Sequence, residues 1–266
     1  MNALKFGCHF EEAVDENILN SRLSRISTIW TLLGKAHHES GFDAADAQSA
    51  LIQRYQGAVY RYLLGALRDP DAADELFQEF ALRVVQGAFR RADPQRGRFR
   101  DYLKTTLIHL VTDYHNKRRN RPTSLGKTFN EPAVPPSDPA TADEQFLQSW
   151  KEELLARAWE SMEKAERLGG QPYYSVLRFR AENSEATSAE MAARLSEQLR
   201  PANPFTDTVI RKTLQRAKTQ FADLLLDEIA QSLDNPTVEE LEQELIDLEL
   251  MPHCRAALKR RQNKVY

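Results

Sequence analysis

Asp74, Glu75, Gln78 and Glu79 are the first residues whose types and spacing invite a chemical reading. Paired carboxylates act as acid and base when they flank one reacting atom. Asp74 and Glu75 are neighbours, however, and on a helix adjacent side chains point about 100° apart, so they do not converge on a substrate. Together with Gln78 and Glu79 they make an outward acidic face suited to a basic or polar surface on another macromolecule. Shortly after comes the opposite chemistry. Arg96, Arg98, Phe99 and Arg100 surround a turn at Gly97, and Lys104, Lys117, Arg118 and Arg119 follow on one segment. Cations in this pattern neutralise phosphates, and a bent basic turn can hold an unstacked base. A third group, Thr208, Arg211, Lys212 and Gln215 with Arg216 and Lys218, mixes hydrogen-bonding and cationic side chains at helical spacing. The sum is docking on protein and on nucleic acid.

Covalent catalysis finds no support in these residue types. The chain offers no nucleophile–base constellation and no Gly-rich phosphate loop, so an enzyme is not expected and no cofactor is implied. Cys8-His9 and His253-Cys254 would supply four zinc ligands if the termini met. Two adjacent pairs at opposite ends lack metal-site spacing, and no metal is expected.

The elements that must carry these groups are helical throughout. Leu51, Tyr55, Ala58, Val59, Tyr62, Leu63 and Ala66 repeat at i, i+3, i+4 and predict a helix over Ala47–Leu67. Asp69 with Pro70 opens the next helix, Asp71–Phe89, which buries Leu76, Phe77, Phe80, Ala81, Val84 and Ala88. A third helix runs from about Phe99 to Asn120 on Phe99, Leu103, Leu107, Leu110, Val111 and Tyr114, with Arg100 and Lys104 expected outside. Five prolines between Pro122 and Pro139 mark an extended linker and the domain boundary. Beyond it, Gln145–Arg167 has Trp150, Leu154, Leu155, Ala158 and Met162 as its stripe. A short helix, Pro172–Ala181, comes next. Thr187 and Glu190 have capping-box spacing before Ser188–Leu199, and Thr206 or Asp207 opens a long helix to about Leu233. Helix, connection and helix with a polar–basic outer face is the helix-turn-helix pattern. Thr237 and Glu240 open an acidic amphipathic helix whose stripe, Val238, Leu241, Leu245 and Leu248, needs a partner. The tail from Pro252 ends in KRRQNK.

Charge is unevenly spread along the 266 residues, whose formal net charge is −3. Residues 90–127 carry 11 Lys/Arg against 3 Asp/Glu, and residues 188–220 carry 6 against 3. Residues 221–252 carry 10 Asp/Glu and no Lys or Arg. Two separate basic blocks in an acidic chain point to two places for phosphate backbone. No apolar run is long enough to span a bilayer, and the first residues lack a signal-peptide profile. Cys8 and Cys254 cannot form a disulfide framework, so a cytoplasmic location without membrane insertion is expected.

The run Ala73-Asp74-Glu75-Leu76-Phe77-Gln78-Glu79 resembles the core-binding helix of bacterial RNA polymerase sigma factors, with the order of the two acids exchanged. Arg96-Gly97-Arg98-Phe99, continuing through Leu103 to Asp113 and Lys117-Arg118-Arg119, is similar to that family's promoter-melting region. Val209-Ile210-Arg211-Lys212 through Leu214 to Arg216-Ala217-Lys218 resembles its recognition helix. The closest type is the extracytoplasmic-function kind, in a subgroup with a C-terminal extension. The resemblance implies an all-α protein of two helical domains joined by a Pro-rich linker, the second containing a helix-turn-helix. Residues 1–46 would be an N-terminal extension, 47–121 a region-2-like domain, 122–144 the linker, 145–234 a region-4-like domain and 235–266 a C-terminal extension. Asp74, Glu75, Leu76, Gln78 and Glu79 would bind the polymerase core. Arg96, Arg98, Phe99, Arg100, Lys104, Lys117, Arg118 and Arg119 would meet the minus-ten promoter DNA and its opened strand. Thr208, Arg211, Lys212, Gln215, Arg216 and Lys218 would meet the minus-thirty-five element. The implied partners are core polymerase and promoter DNA, with an anti-sigma factor or another regulator left open. The alternative is a stand-alone helix-turn-helix regulator that never touches polymerase. The connection Ser196–Phe205 is longer than the usual three- or four-residue turn.

Overall fold

The computed structural model describes residues 42–86, 99–119, 139–233 and 236–265. These form nine α-helices: α1 Phe42–Leu67, α2 Pro70–Val85, α3 Phe99–Arg119, α4 Pro139–Arg167, α5 Tyr173–Glu182, α6 Ser188–Leu199, α7 Asp207–Ser232, α8 Val238–Asp247 and α9 Met251–Val265. Two compact units divide between Glu153 and Leu154, inside α4. α4 begins at Pro139 rather than Gln145. Polar, Pro-rich composition disguised the first turns of a helix that opens on proline, a residue tolerated there because the first N–H has no intrahelical partner.

The first unit is built around α1. Its expected stripe is buried at Tyr55, Ala58, Val59, Tyr62 and Leu63, but Tyr60, Leu64 and Leu67 are buried as well. Neighbours approach α1 from more than one side. Tyr60 meets Phe77 of α2 edge-on at 5.9 Å, and Tyr62 meets Phe146 of α4 in the same way at 5.7 Å. Tyr55 stacks on Trp150 of α4 at 5.2 Å. Such pairs contribute about 0.5–1.5 kcal/mol beyond their area. α1 stops where Arg68 turns left-handed (φ 50°), and Asp69 then accepts from the Asp71 and Ala72 amides at 3.0 and 3.3 Å, with Pro70 opening α2. α2 buries Leu76, Phe77, Phe80, Ala81 and Val84, and α3 buries Leu103, Leu107, Leu110 and Val111.

In the second unit, the later part of α4 buries Leu154, Ala158 and Met162. Trp159 lies against Phe221 of α7 at 4.6 Å and Tyr174 of α5 at 5.8 Å. The Glu166 carboxylate caps α5 by accepting from the Ser175 amide at 3.0 Å and from its hydroxyl. Val176, Met191, Ala192, Leu195 and Ile210 form one apolar cluster joining α5, α6 and α7. Both expected capping boxes are present, Thr187 with Glu190 on α6 and Thr237 with Glu240 on α8, and Thr206 caps α7.

The long connection before α7 has its own fixings. Arg200 closes α6 in a left-handed conformation (φ 45°), the Phe205 amide donates to Ser196 Oγ at 2.8 Å, and the Phe205 ring packs on the apolar cluster. The expected C-terminal tail is instead α9, whose Cys254, Ala257 and Leu258 are buried. Arg260 and Arg261 pair with Asp223 and Asp227 of α7 at 2.6 and 2.9 Å. Leu241 and Leu245 of α8 and Leu248 at its C-cap are buried in this C-terminal packing, so the acidic helix finds the partner for its stripe inside the chain.

Candidate functional site

α2 turns its apolar stripe inward, which leaves Glu75, Gln78 and Leu82 exposed and Asp74, Glu79 and Arg83 half-buried. The acids are not equivalent. Asp74 accepts from the Tyr60 hydroxyl at 2.6 Å, so its carboxylate is oriented by the core beneath it. Glu79 pairs with Arg83 one turn on, whereas Glu75 is exposed. Leu82 extends this face with a side chain 56% exposed. Leu76, expected among the contact residues, is 2% exposed and belongs to the core. The motif mixes packing and surface positions, and Leu76 shares the buried stripe with Phe80.

On α3, Lys117, Arg118 and Arg119 are exposed at the C-terminal end, where cations also suit the helix dipole. His115 lies beside them, its pKa lowered by burial first and by Arg118 second, so it is neutral at pH 7. Two expectations on this helix are corrected. Arg100 is 6% exposed, because it stands three residues before Leu103 and seven before Leu107, on the buried stripe. Lys104 is half-buried, with Nζ 3.1 Å from the Asp143 carboxylate of α4. Phe99 begins α3, while Arg96 and Arg98 lie outside the described residues. Sequence distance hid the Asp143 contact, since the pair is 39 residues apart across the Pro-rich stretch.

On α7, Thr208, Arg211, Lys212, Gln215, Arg216 and Lys218 are all exposed, while Ile210, Ala217 and Phe221 anchor the opposite face. Arg211 pairs with Asp207 on the same helix. This is an accessible polar–basic strip on one face of α7, with Val209 (43% exposed) beside it.

No group of three or more His, Cys, Asp or Glu is placed to hold a metal among the described residues. Burial, then Asp223, pushes the Cys254 thiol up to about 12, which keeps it protonated and a poor ligand. Cys8 and His9 lie outside the described residues. No helix among the described residues is long and apolar enough to cross a membrane.

The first unit thus sets an acidic helix, one of whose carboxylates is oriented by the core, beside a helix with a basic end. Residues 51–121 match the family model for sigma-70 region 2, so the chain carries a sigma-70 region-2 domain. That span takes in the described part of α1 from Leu51, α2 and α3, and both surfaces described above for the first unit. No curated protein and no solved structure matches the chain.

Proposed function

We propose that this chain is a sigma factor of the extracytoplasmic-function type: a dissociable subunit that binds RNA polymerase core, recognises promoters and opens DNA. The match of residues 51–121 to sigma-70 region 2 carries the proposal. On this view Asp74, Glu75, Gln78, Glu79 and Leu82 meet polymerase. Arg96, Arg98 and Phe99 hold the opened strand, with Lys117, Arg118 and Arg119 on its phosphates. Opening duplex costs about 1.4 kcal/mol per base step, so the protein must trap an extruded base as well as attract DNA.

α6, its connection and α7 serve as a helix-turn-helix of the region-4 kind. Thr208, Arg211, Lys212 and Gln215 enter the major groove, and Arg216 and Lys218 touch the backbone. Their common exposure over a buried Ile210 and Ala217 supports this assignment. The C-terminal helices α8 and α9 are the extension of the subgroup.

Reconstitution tests the proposal. Purified chain and core polymerase should together open and transcribe promoter DNA, and the chain alone should bind duplex weakly because it is acidic overall. Tight, specific duplex binding by the chain alone, unaffected by Asp74→Ala with Glu79→Ala, would instead indicate a stand-alone regulator.

A further inference from the structure

Residues 139–153 of α4 precede the boundary between the units and pack against the region-2 domain. Four contacts seat them. Phe146 and Trp150 meet the rings of Tyr62 and Tyr55 on α1. Glu153 lies 3.6 Å from Arg61, and Asp143 lies 3.1 Å from Lys104 on α3. The Glu153 carboxylate fills the place a side chain would take at Gly57, where a Cβ would stand 1.9 Å from its oxygen.

The contact has the marks of one that can part. The Tyr62 hydroxyl and the Trp150 indole N–H are buried in it without a hydrogen-bond partner among the described residues. Each group carries a desolvation cost that no bond offsets while the helix is seated, and water would offset it on release. The remaining contacts are two ion pairs, of which Arg61–Glu153 is largely shielded and Lys104–Asp143 leaves the Asp143 carboxylate about half open to solvent. Asp143 also gives Lys104 the kind of anionic oxygen that a nucleic-acid phosphate would give.

We propose that residues 139–153 are a detachable cover on the region-2 domain, which holds Lys104 through Asp143 until a nucleic-acid phosphate takes its place. The inference rests on α3 facing DNA, as proposed above. In the covered state Lys104 is neutralised from within. Binding DNA exchanges one anion for another at this lysine, so the covered protein forfeits one cation of electrostatic attraction.

The test uses the full chain and a fluorescein-labelled, mixed-sequence single-stranded DNA, with affinity read by anisotropy across a salt series. Asp143→Asn should bind about two- to fivefold tighter than wild type, the range set by the strength of a partly exposed ion pair. Its log K against log salt should steepen by about 0.7, one additional phosphate contact on single strands. Adding Lys104→Ala to Asp143→Asn should abolish both gains. Gly57→Ala should also tighten binding, because the new methyl displaces Glu153 from Arg61 while favouring helix in α1. With Trp30 and Trp159 replaced by Phe, acrylamide should quench Trp150 more strongly once DNA is bound. Unchanged affinity in Asp143→Asn and Gly57→Ala, with Lys104→Ala still weakening binding, overturns the cover and leaves the DNA-facing role of α3 standing. A Trp150 that stays shielded in the DNA complex overturns it too. Absence of DNA binding in every variant removes both the role of α3 and the cover.

Discussion

Leu82→Ala separates docking from folding on α2. Leu82 keeps 56% of its surface in solvent, so its truncation removes little from the core. Substitutions at such sites change stability by about 0.5 kcal/mol or less. Fully burying a leucine contributes about 1.5–3 kcal/mol. If polymerase covers the exposed share of Leu82, a little over half of that is at stake, about 0.8–1.7 kcal/mol. The corresponding loss of affinity is roughly 4- to 18-fold. The assay is titration of labelled chain with core polymerase, run beside urea unfolding of the same variant. An affinity within twofold of wild type refutes the placement of Leu82 in the docking face. An unfolding loss above about 1 kcal/mol refutes the premise that its side chain is free of the core.

The acids of α2 should also differ among themselves. Glu75→Ala is expected to weaken core binding more than Glu79→Ala, because Arg83 already engages Glu79; the same titration at two salt concentrations checks the order. On α7, Ile210→Ala should destabilise the fold by about 2–5 kcal/mol in urea, since it empties a site in the shared cluster. Arg211→Ala should leave stability within about 0.5 kcal/mol and cost about 1–3 kcal/mol of promoter discrimination in a binding competition. Thr187→Ala should cost about 1 kcal/mol by removing the cap of α6. Hydrogen bonds from the Thr187 backbone first and its side chain second lower the Glu190 pKa in the folded state. The stability they confer is present above the unfolded carboxyl pKa and lost as pH falls through the lowered folded value. Thr187→Ala should therefore show a flatter stability profile on the acid side.

Helix types and caps were legible because they depend on neighbours in sequence. The stripe of α2 and the boxes at Thr187 and Thr237 follow from spacing alone, and the structure chooses Thr206 over Asp207 as the cap of α7. What escaped depends on distant contacts. Burial of Tyr60 and Leu64 requires knowing that α1 has neighbours on several sides. Arg100 looks solvent-facing by type, yet its position on the stripe of Leu103 and Leu107 takes it inside. Leu76 entered the docking set because a motif keeps packing and contact residues together. KRRQNK resembled a loose basic tail until Arg260 and Arg261 met Asp223 and Asp227, two acids in a segment that has no basic residue of its own. Proline density hid the start of α4 at Pro139, whose first turns bury Ala142.

Co-migration of the full chain with RNA polymerase core on size exclusion, with and without Glu75→Ala and Leu82→Ala together, tests the central claim most directly. A sigma factor moves with core as a complex, and the double variant releases a large part of it at the same concentration. A chain that elutes alone beside core, or whose co-migration ignores both substitutions, contradicts the assignment of the α2 face to polymerase.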